Sequence, residues 1–148
     1  SVLHLKKEPF VSKNLQNLFI ESFENSSFQD VNLIIPVPLS KKRMFERGFN
    51  QAAILAEILS TETKIDTDEK TLVRTIHTPI HRAAMDRKAR EKTVENAFDV
   101  KRPRLIEGKR ILLVDDVFTS GATVSAFAEI LKKKGADKVF VLTIARAI

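Results

Sequence analysis

The sequence predicts an α/β fold with a mostly parallel sheet flanked by helices. Two observations carry that prediction. Residues 110–145 read as strand, helix, strand, a unit of about 35 residues whose two strands are expected to be parallel and joined by a right-handed crossover. A second apolar run, Val31 to Val37, is bounded by Pro36 and Pro38 and suits a buried strand that stops sharply.

The elements follow in order. Residues 11–23 predict an amphipathic helix, with Leu15, Leu18, Phe19 and Ser22 on one face and Asn14, Gln16 and Glu21 elsewhere. Asn25 to Asp30 is a polar loop, and Val31 to Val37 is the first strand. Ser40 to Gly48 is basic and irregular. Gln51 to Leu59 is apolar at helical spacing, and Asn50 suits its N-cap. Thr61 to Lys70 is polar. Thr71 to Ile76 and Ala97 to Val100 predict short strands. Between them, His77 to Val94 is highly charged and reads as an exposed loop or lid. Pro103 to Lys109 reads as a linker turn before the strand Arg110 to Val114. The helix Ala122 to Lys134 ends in Lys132, Lys133 and Lys134, where cations suit the dipole, and Gly135 fits the position just beyond it. Val139 to Ala145 is the last strand.

Composition removes several classes of function. The 148 residues fit one domain. Apolar residues are 43% and charged residues 30%, which excludes disorder and low complexity. No apolar run is long enough to span a membrane and no secretory leader is visible at the start, so a cytoplasmic protein without membrane insertion is expected. With no cysteine, disulfides, thiol catalysis and cysteine-bound zinc are excluded. The three histidines, His4, His77 and His81, have no spacing that favours a metal site. There is no Trp or Tyr, so any base stacking falls to the ten Phe. The net charge of +6 points to anionic partners. The excess is concentrated in three places. Lys41, Lys42, Arg43 and Arg47 face only Glu46. Arg82, Arg87, Lys88, Arg90 and Lys92 face Asp86 and Glu91. Lys101, Arg102, Arg104, Lys109 and Arg110 face Glu107. Each cluster taken alone reads as a solvated face before it reads as a phosphate-binding surface.

The segment with chemistry runs from Ile111 to Thr123. Four apolar residues, Ile111 to Val114, form a buried strand. Asp115 and Asp116 follow where that strand emerges. The turn Thr119-Ser120-Gly121-Ala122-Thr123 then opens a helix. Ligands in open α/β sheets bind outside the carboxyl ends of the strands. Amides at the free end of a helix favour an anion, Gly121 lets backbone approach a ligand closely, and the hydroxyls of Thr119, Ser120 and Thr123 add donors. A phosphate beside two carboxylates is resolved by a ligand with phosphate at one end and hydroxyls at the other. A ribose 5-phosphate has that layout. No Gly-Lys-Ser/Thr and no Gly-x-Gly occurs, so neither a Walker A loop nor a Rossmann fingerprint is present.

The string from Ile111 to Thr123 resembles the PRPP-binding motif of type I phosphoribosyltransferases. Ile35-Pro36-Val37-Pro38-Leu39, then Arg43, then Arg47-Gly48-Phe49-Asn50-Gln51-Ala52, resembles the ComF family of competence-associated phosphoribosyltransferase-like proteins, as does Ala145-Arg146-Ala147. The resemblance runs from about Leu3 to the end. It departs from the family at His81, where Gln is frequent, and at Thr93, where Asn is frequent. The family's upstream four-cysteine zinc module has no counterpart, so a single phosphoribosyltransferase-like domain over 1–148 is expected.

By resemblance, Asp115 and Asp116 are the catalytic pair. They bind the ribose 2- and 3-hydroxyls of PRPP and favour the positive charge that develops at C1 as pyrophosphate leaves. Val117, Thr119, Ser120, Gly121, Ala122 and Thr123 complete the PRPP site. Lys41, Lys42 and Arg43 supply charge to the pyrophosphate. Arg82, Arg87, Lys88 and Arg90 belong to a lid. Mg²⁺ is held mainly by PRPP oxygens and water, in keeping with its slow dehydration, and no protein metal site is implied. Three activities stay open: phosphoribosyl transfer to a base or amine, linked to DNA uptake in natural transformation; a non-catalytic sensor of PRPP or nucleotide; and a single-stranded DNA-binding competence factor working with the competence machinery.

Overall fold

The computed structural model describes residues 12–27, 30–39, 44–46, 48–74, 98–115 and 121–143, with only the backbone described at 121–123. Helix α1, Lys13–Glu24, starts at Ser12, whose hydroxyl accepts the Leu15 amide at 3.1 Å. Its buried residues are Phe19 and Phe23. Leu18, predicted to face inward, is 59% exposed. The spacings 15-18-19-22 and 15-19-23 both satisfy a helical stripe, and packing selects the one that buries two aromatic rings.

Strand β1, Leu33–Pro36, is wholly buried and shorter than the apolar run predicted it to be. Its odd-numbered amides face the next strand of the sheet, as the 2.8 Å bond from the Val37 amide to the Val114 carbonyl shows. The even-numbered ones face residues 66–68, which pair with β1 at a single bridge. The Ile34 amide reaches the Asp66 carbonyl and the Asp68 amide reaches the Ile34 carbonyl. Pro36, which has no amide to donate, falls on that side, just past the last bond, where none is required.

Helix α2, Gln51–Thr63, is capped by Asn50 as predicted and runs four residues past Leu59. Strands β2, Leu72–Arg74, and β3, Phe98–Val100, pair antiparallel as a separate ribbon. The predicted linker at 103–109 instead opens with a helical turn, α3, Pro103–Ile106, with proline in its first turn and Ile106 fully buried. Strand β4, Arg110–Asp115, helix α4, Gly121–Lys133, and strand β5, Lys138–Thr143, form the predicted crossover unit. Gly135 takes a left-handed φ of 115° beyond α4, the predicted place.

The main sheet has the order β1-β4-β5 and is parallel throughout. Its two faces bury separate cores. Leu33, Ile35, Ile111 and Leu113 pack with Phe127, Ile130 and Leu131 of α4 and with Leu72, Phe98, Val100 and Ile106. Ile34, Leu112 and Val114 pack with Phe19 and Phe23 of α1 and with Ala52, Leu55, Ala56 and Leu59 of α2. At the amino end of the sheet, Arg110 donates from its amide to the Asn32 side chain and from Nε to the Asp30 carbonyl, and pairs with the Asp30 carboxylate at 3.3 Å. That gives Arg110, a member of the third basic cluster, a structural task at the end opposite the predicted site. No helix among the described residues is long and apolar enough to cross a membrane.

Candidate functional site

The helix that follows β1 lies on one face of the sheet, and the helix that follows β4 lies on the other. Neighbouring parallel strands whose connections leave in opposite directions open a crevice at their carboxyl ends. Between β1 and β4 that crevice is bordered by Val37–Leu39 on one side and by Asp115 and the start of α4 on the other.

Asp115 closes β4 opposite Thr143 of β5 and is 1% exposed. A carboxylate at such depth is costly unless polar groups meet it, and the carboxyl end of a strand is where open α/β sheets bind their ligands. Asp116, Val117, Thr119 and Ser120 lie outside the described residues. Gly121, Ala122 and Thr123 form the first turn of α4, so the backbone end that the sequence assigns to a phosphate does sit at this edge of the sheet. Lys41, Lys42 and Arg43, and the lid residues Arg82, Arg87, Lys88 and Arg90, lie outside the described residues, as do Arg47, His77 and His81.

The loop after β1 is fastened by two side chains that the sequence does not mark as site residues. Asn50 donates from Nδ2 to the Val37 carbonyl at 3.1 Å while its Oδ1 accepts the Ala52 amide at 3.0 Å. Arg74 donates from Nε to the Pro38 carbonyl at 2.7 Å. The only signal for Arg74 in the sequence is a single cation inside the apolar stretch from Leu72 to Ile76. Beyond this loop, Met44 and Phe45 are exposed, Phe45 to 90%. Gly48 then turns the chain with φ 78°, its amide bonded to the Met44 carbonyl at 2.7 Å, so Gly48 shapes a turn.

Among the described residues no group of three or more His, Asp or Glu is gathered to hold a metal. A cavity of about 790 Å³ lies elsewhere, between α1 and α2, with Ile20, Ile54 and Ile58 on its floor and Glu21, Glu57 and Glu62 among its rim.

The model of the phosphoribosyl transferase domain family matches residues 46–147. The DNA utilization protein YhgH of Shigella flexneri is 34% identical over 115 residues, covering 78% of this chain and 49% of that protein. Competence protein ComFC of Bacillus subtilis is 37% identical over 108 residues, covering 70% of this chain and 39% of that protein. The chain thus spans half or less of the length of these relatives. Among solved structures, glutamine phosphoribosylpyrophosphate amidotransferase from B. subtilis, complexed with ADP and GMP, superposes with a TM-score of 0.61 at 21% identity, covering 90% of this chain and 26% of that one. That likeness is one of fold. The family match, the relatives and the parallel sheet with its crossover agree, and the chain belongs to the ComF family of type I phosphoribosyltransferase-like proteins.

Proposed function

We propose that the crevice between β1 and β4 binds PRPP with Mg²⁺, that the chain transfers the phosphoribosyl group to a base or amine, and that this serves the handling of DNA taken up by the cell. The observation that carries the reading is the buried carboxylate of Asp115 at the carboxyl end of β4, in the one crevice where the connections of two neighbouring described strands diverge. The names of the relatives, a DNA utilization protein and a competence protein, support the cellular role.

In this reading Asp115 and Asp116 accept hydrogen bonds from the ribose hydroxyls. The amides opening α4 hold the 5-phosphate at the positive end of the helix dipole. The bond from C1 to the diphosphate oxygen breaks with its electron pair leaving on the diphosphate, and a bond from C1 to the acceptor nitrogen forms as that nitrogen loses a proton. The two carboxylates stabilise the positive charge at C1 between those events. Mg²⁺ supplies neutralisation of the departing diphosphate.

The test is calorimetry with Mg-PRPP on the wild type and on the isosteric double variant Asp115→Asn, Asp116→Asn. Losing two charge-assisted bonds predicts a fall in affinity of at least about 100-fold with an unchanged melting temperature. A folded double variant that binds PRPP as the wild type does would overturn the assignment. Product formation from labelled PRPP and a panel of bases separates transfer from a sensor that binds without turnover.

One observation favours a second reading, binding of single-stranded DNA. Phe45 is 90% exposed in a basic segment. A water-exposed ring among cations is a stacking platform for unpaired bases. Phe45→Ala predicts a loss of about fivefold in affinity for a fluorescent oligonucleotide, the low end of one stacked base, and no change for PRPP. Equal DNA binding by both proteins removes Phe45 from that surface.

A further inference from the structure

We infer that Arg74 is a positioning residue that sets the loop after β1 for the diphosphate end of the ligand. The inference rests on the proposed reading of the crevice and adds a residue to it. Arg74 ends β2 and stands opposite Phe98 in the ribbon. Its guanidinium carbon lies 4.8 Å from the centre of the Phe98 ring and 5.5 Å from that of Phe127, and the two ring centres are 3.7 Å apart. Phe127 is a fully buried residue of α4. From this seat Nε reaches the Pro38 carbonyl, 36 positions away in sequence. One side chain therefore joins the ribbon, the helix that opens at the phosphate end, and the loop on the other side of the crevice.

Packing alone does not call for a cation here. A half-buried guanidinium gives up hydration that an apolar side chain would not have to lose, and Met or Leu would cover the same rings. What arginine adds is a planar fork that stacks and donates at once, which lysine does not reproduce. The bond it makes acts on the crevice. Pro38 follows Val37, whose amide pairs with Val114, the residue before Asp115. In a trans peptide the carbonyl and the next amide point in opposite directions. Fixing the Pro38 carbonyl toward Arg74 therefore fixes the direction of the Leu39 amide, while Asn50 fixes the preceding carbonyl, that of Val37. Two consecutive peptide planes at the edge of the crevice are thereby held before any ligand arrives, which removes ordering cost from binding.

The prediction concerns one end of the ligand only. Ribose 5-phosphate engages the Asp115 and α4 side and lacks the diphosphate. PRPP also needs the β1 side. The experiment titrates Mg-PRPP and ribose 5-phosphate separately into the wild type, Arg74→Lys and Arg74→Met, with melting temperatures for each. Arg74→Lys is expected to weaken PRPP by about tenfold or more, the scale of one lost charge-assisted bond, and to leave ribose 5-phosphate within about twofold. Arg74→Met keeps an unbranched chain over the two rings but gives up the bond to the Pro38 carbonyl, and is expected to melt within a few degrees of the wild-type temperature while losing PRPP to the same degree. Equal weakening of both ligands, or PRPP affinity that falls only in step with melting temperature, makes Arg74 a merely structural residue and overturns the inference. So does PRPP affinity unchanged in both variants. A wild type that binds neither ligand defeats the reading of the crevice itself, and that result is visible before any variant is compared.

Discussion

The carboxyl of Asp68 accepts three hydrogen bonds at the turn that leads into β2, from the Lys70 and Thr71 amides at 2.7 and 3.0 Å and from the Thr71 hydroxyl at 2.5 Å. Thr71 is fully buried, and its carbonyl receives the Lys101 amide. Burial pushes the Asp68 carboxyl up. The Thr71 hydroxyl, the two amides and the charge of Arg102 together outweigh burial and hold it below its ordinary value of 3.8. A carboxyl depressed in the folded state contributes stability above its unfolded pKa, and that stability is lost as pH falls through the folded value. Asp68→Asn is therefore expected to lower stability at pH 7 by roughly 1 kcal/mol, a charged hydrogen bond discounted for its solvent exposure. As pH falls from 7 to below the ordinary value of 3.8, the gap between wild type and variant should narrow. Urea denaturation at both pH values measures this. A gap of equal size at both would show that shape, and not charge, holds the turn. Asp68 is readable in the sequence only as one polar residue in a polar stretch, because its partners are set by the turn it helps to make.

At the scale of the element, the N-terminus of α2 shows how one residue serves two ends. The sequence marks Asn50 as a cap, and it is one. Its second bond, to the Val37 carbonyl, depends on where α2 lands against β1 and has no local signature. Asn50→Ala is expected to cost about 1–2 kcal/mol through the cap. Asn50→Ser restores an acceptor for the helix amide but cannot reach Val37, so it should recover most of that stability and leave PRPP affinity reduced. Chemical denaturation and calorimetry on the same two proteins test this, and a serine variant that also recovers full PRPP affinity would separate the Val37 bond from the site. The helices α2 and α4 and the strand β4 were legible to within a few residues, because their apolar spacing, caps and Gly135 all act locally. Helix α1 was legible as a helix but not in its buried face. The turn α3 was not legible as a helix, since Pro103 and the charges around it suit a linker equally well.

For the whole molecule, charge and its placement decide what can approach. The net charge is +6, yet the described groove between α1 and α2 carries glutamates on its rim, and Arg110 is engaged at the amino end of the sheet. Attraction for a nucleic acid backbone therefore falls to the remaining basic segments, with Phe45 beside one of them. If three or more phosphates are neutralised, the affinity for single-stranded DNA should fall with salt at a log–log slope of about −2 or steeper, from about −0.7 per phosphate. An oligonucleotide titration between low and moderate salt reads the slope directly. Binding that ignores salt would exclude the electrostatic surface.

The sequence by itself determined the crossover unit, the strand that leads to Asp115 and the family, because each is written in contiguous residues whose spacing and side chains act over one or two turns of backbone. Only the tertiary structure decided that β4 sits between β1 and β5, that α2 and α4 leave on opposite faces, and that Arg74 reaches Pro38. Those facts join residues tens of positions apart. Strand order follows from which apolar faces can be covered at once, and a single arginine in a short strand acquires its role only when the ribbon brings it over Phe98 and Phe127. The carboxylates and the small residues of the turn after them stand in one segment of chain, whereas the crevice beside Asp115 is a property of packing between segments.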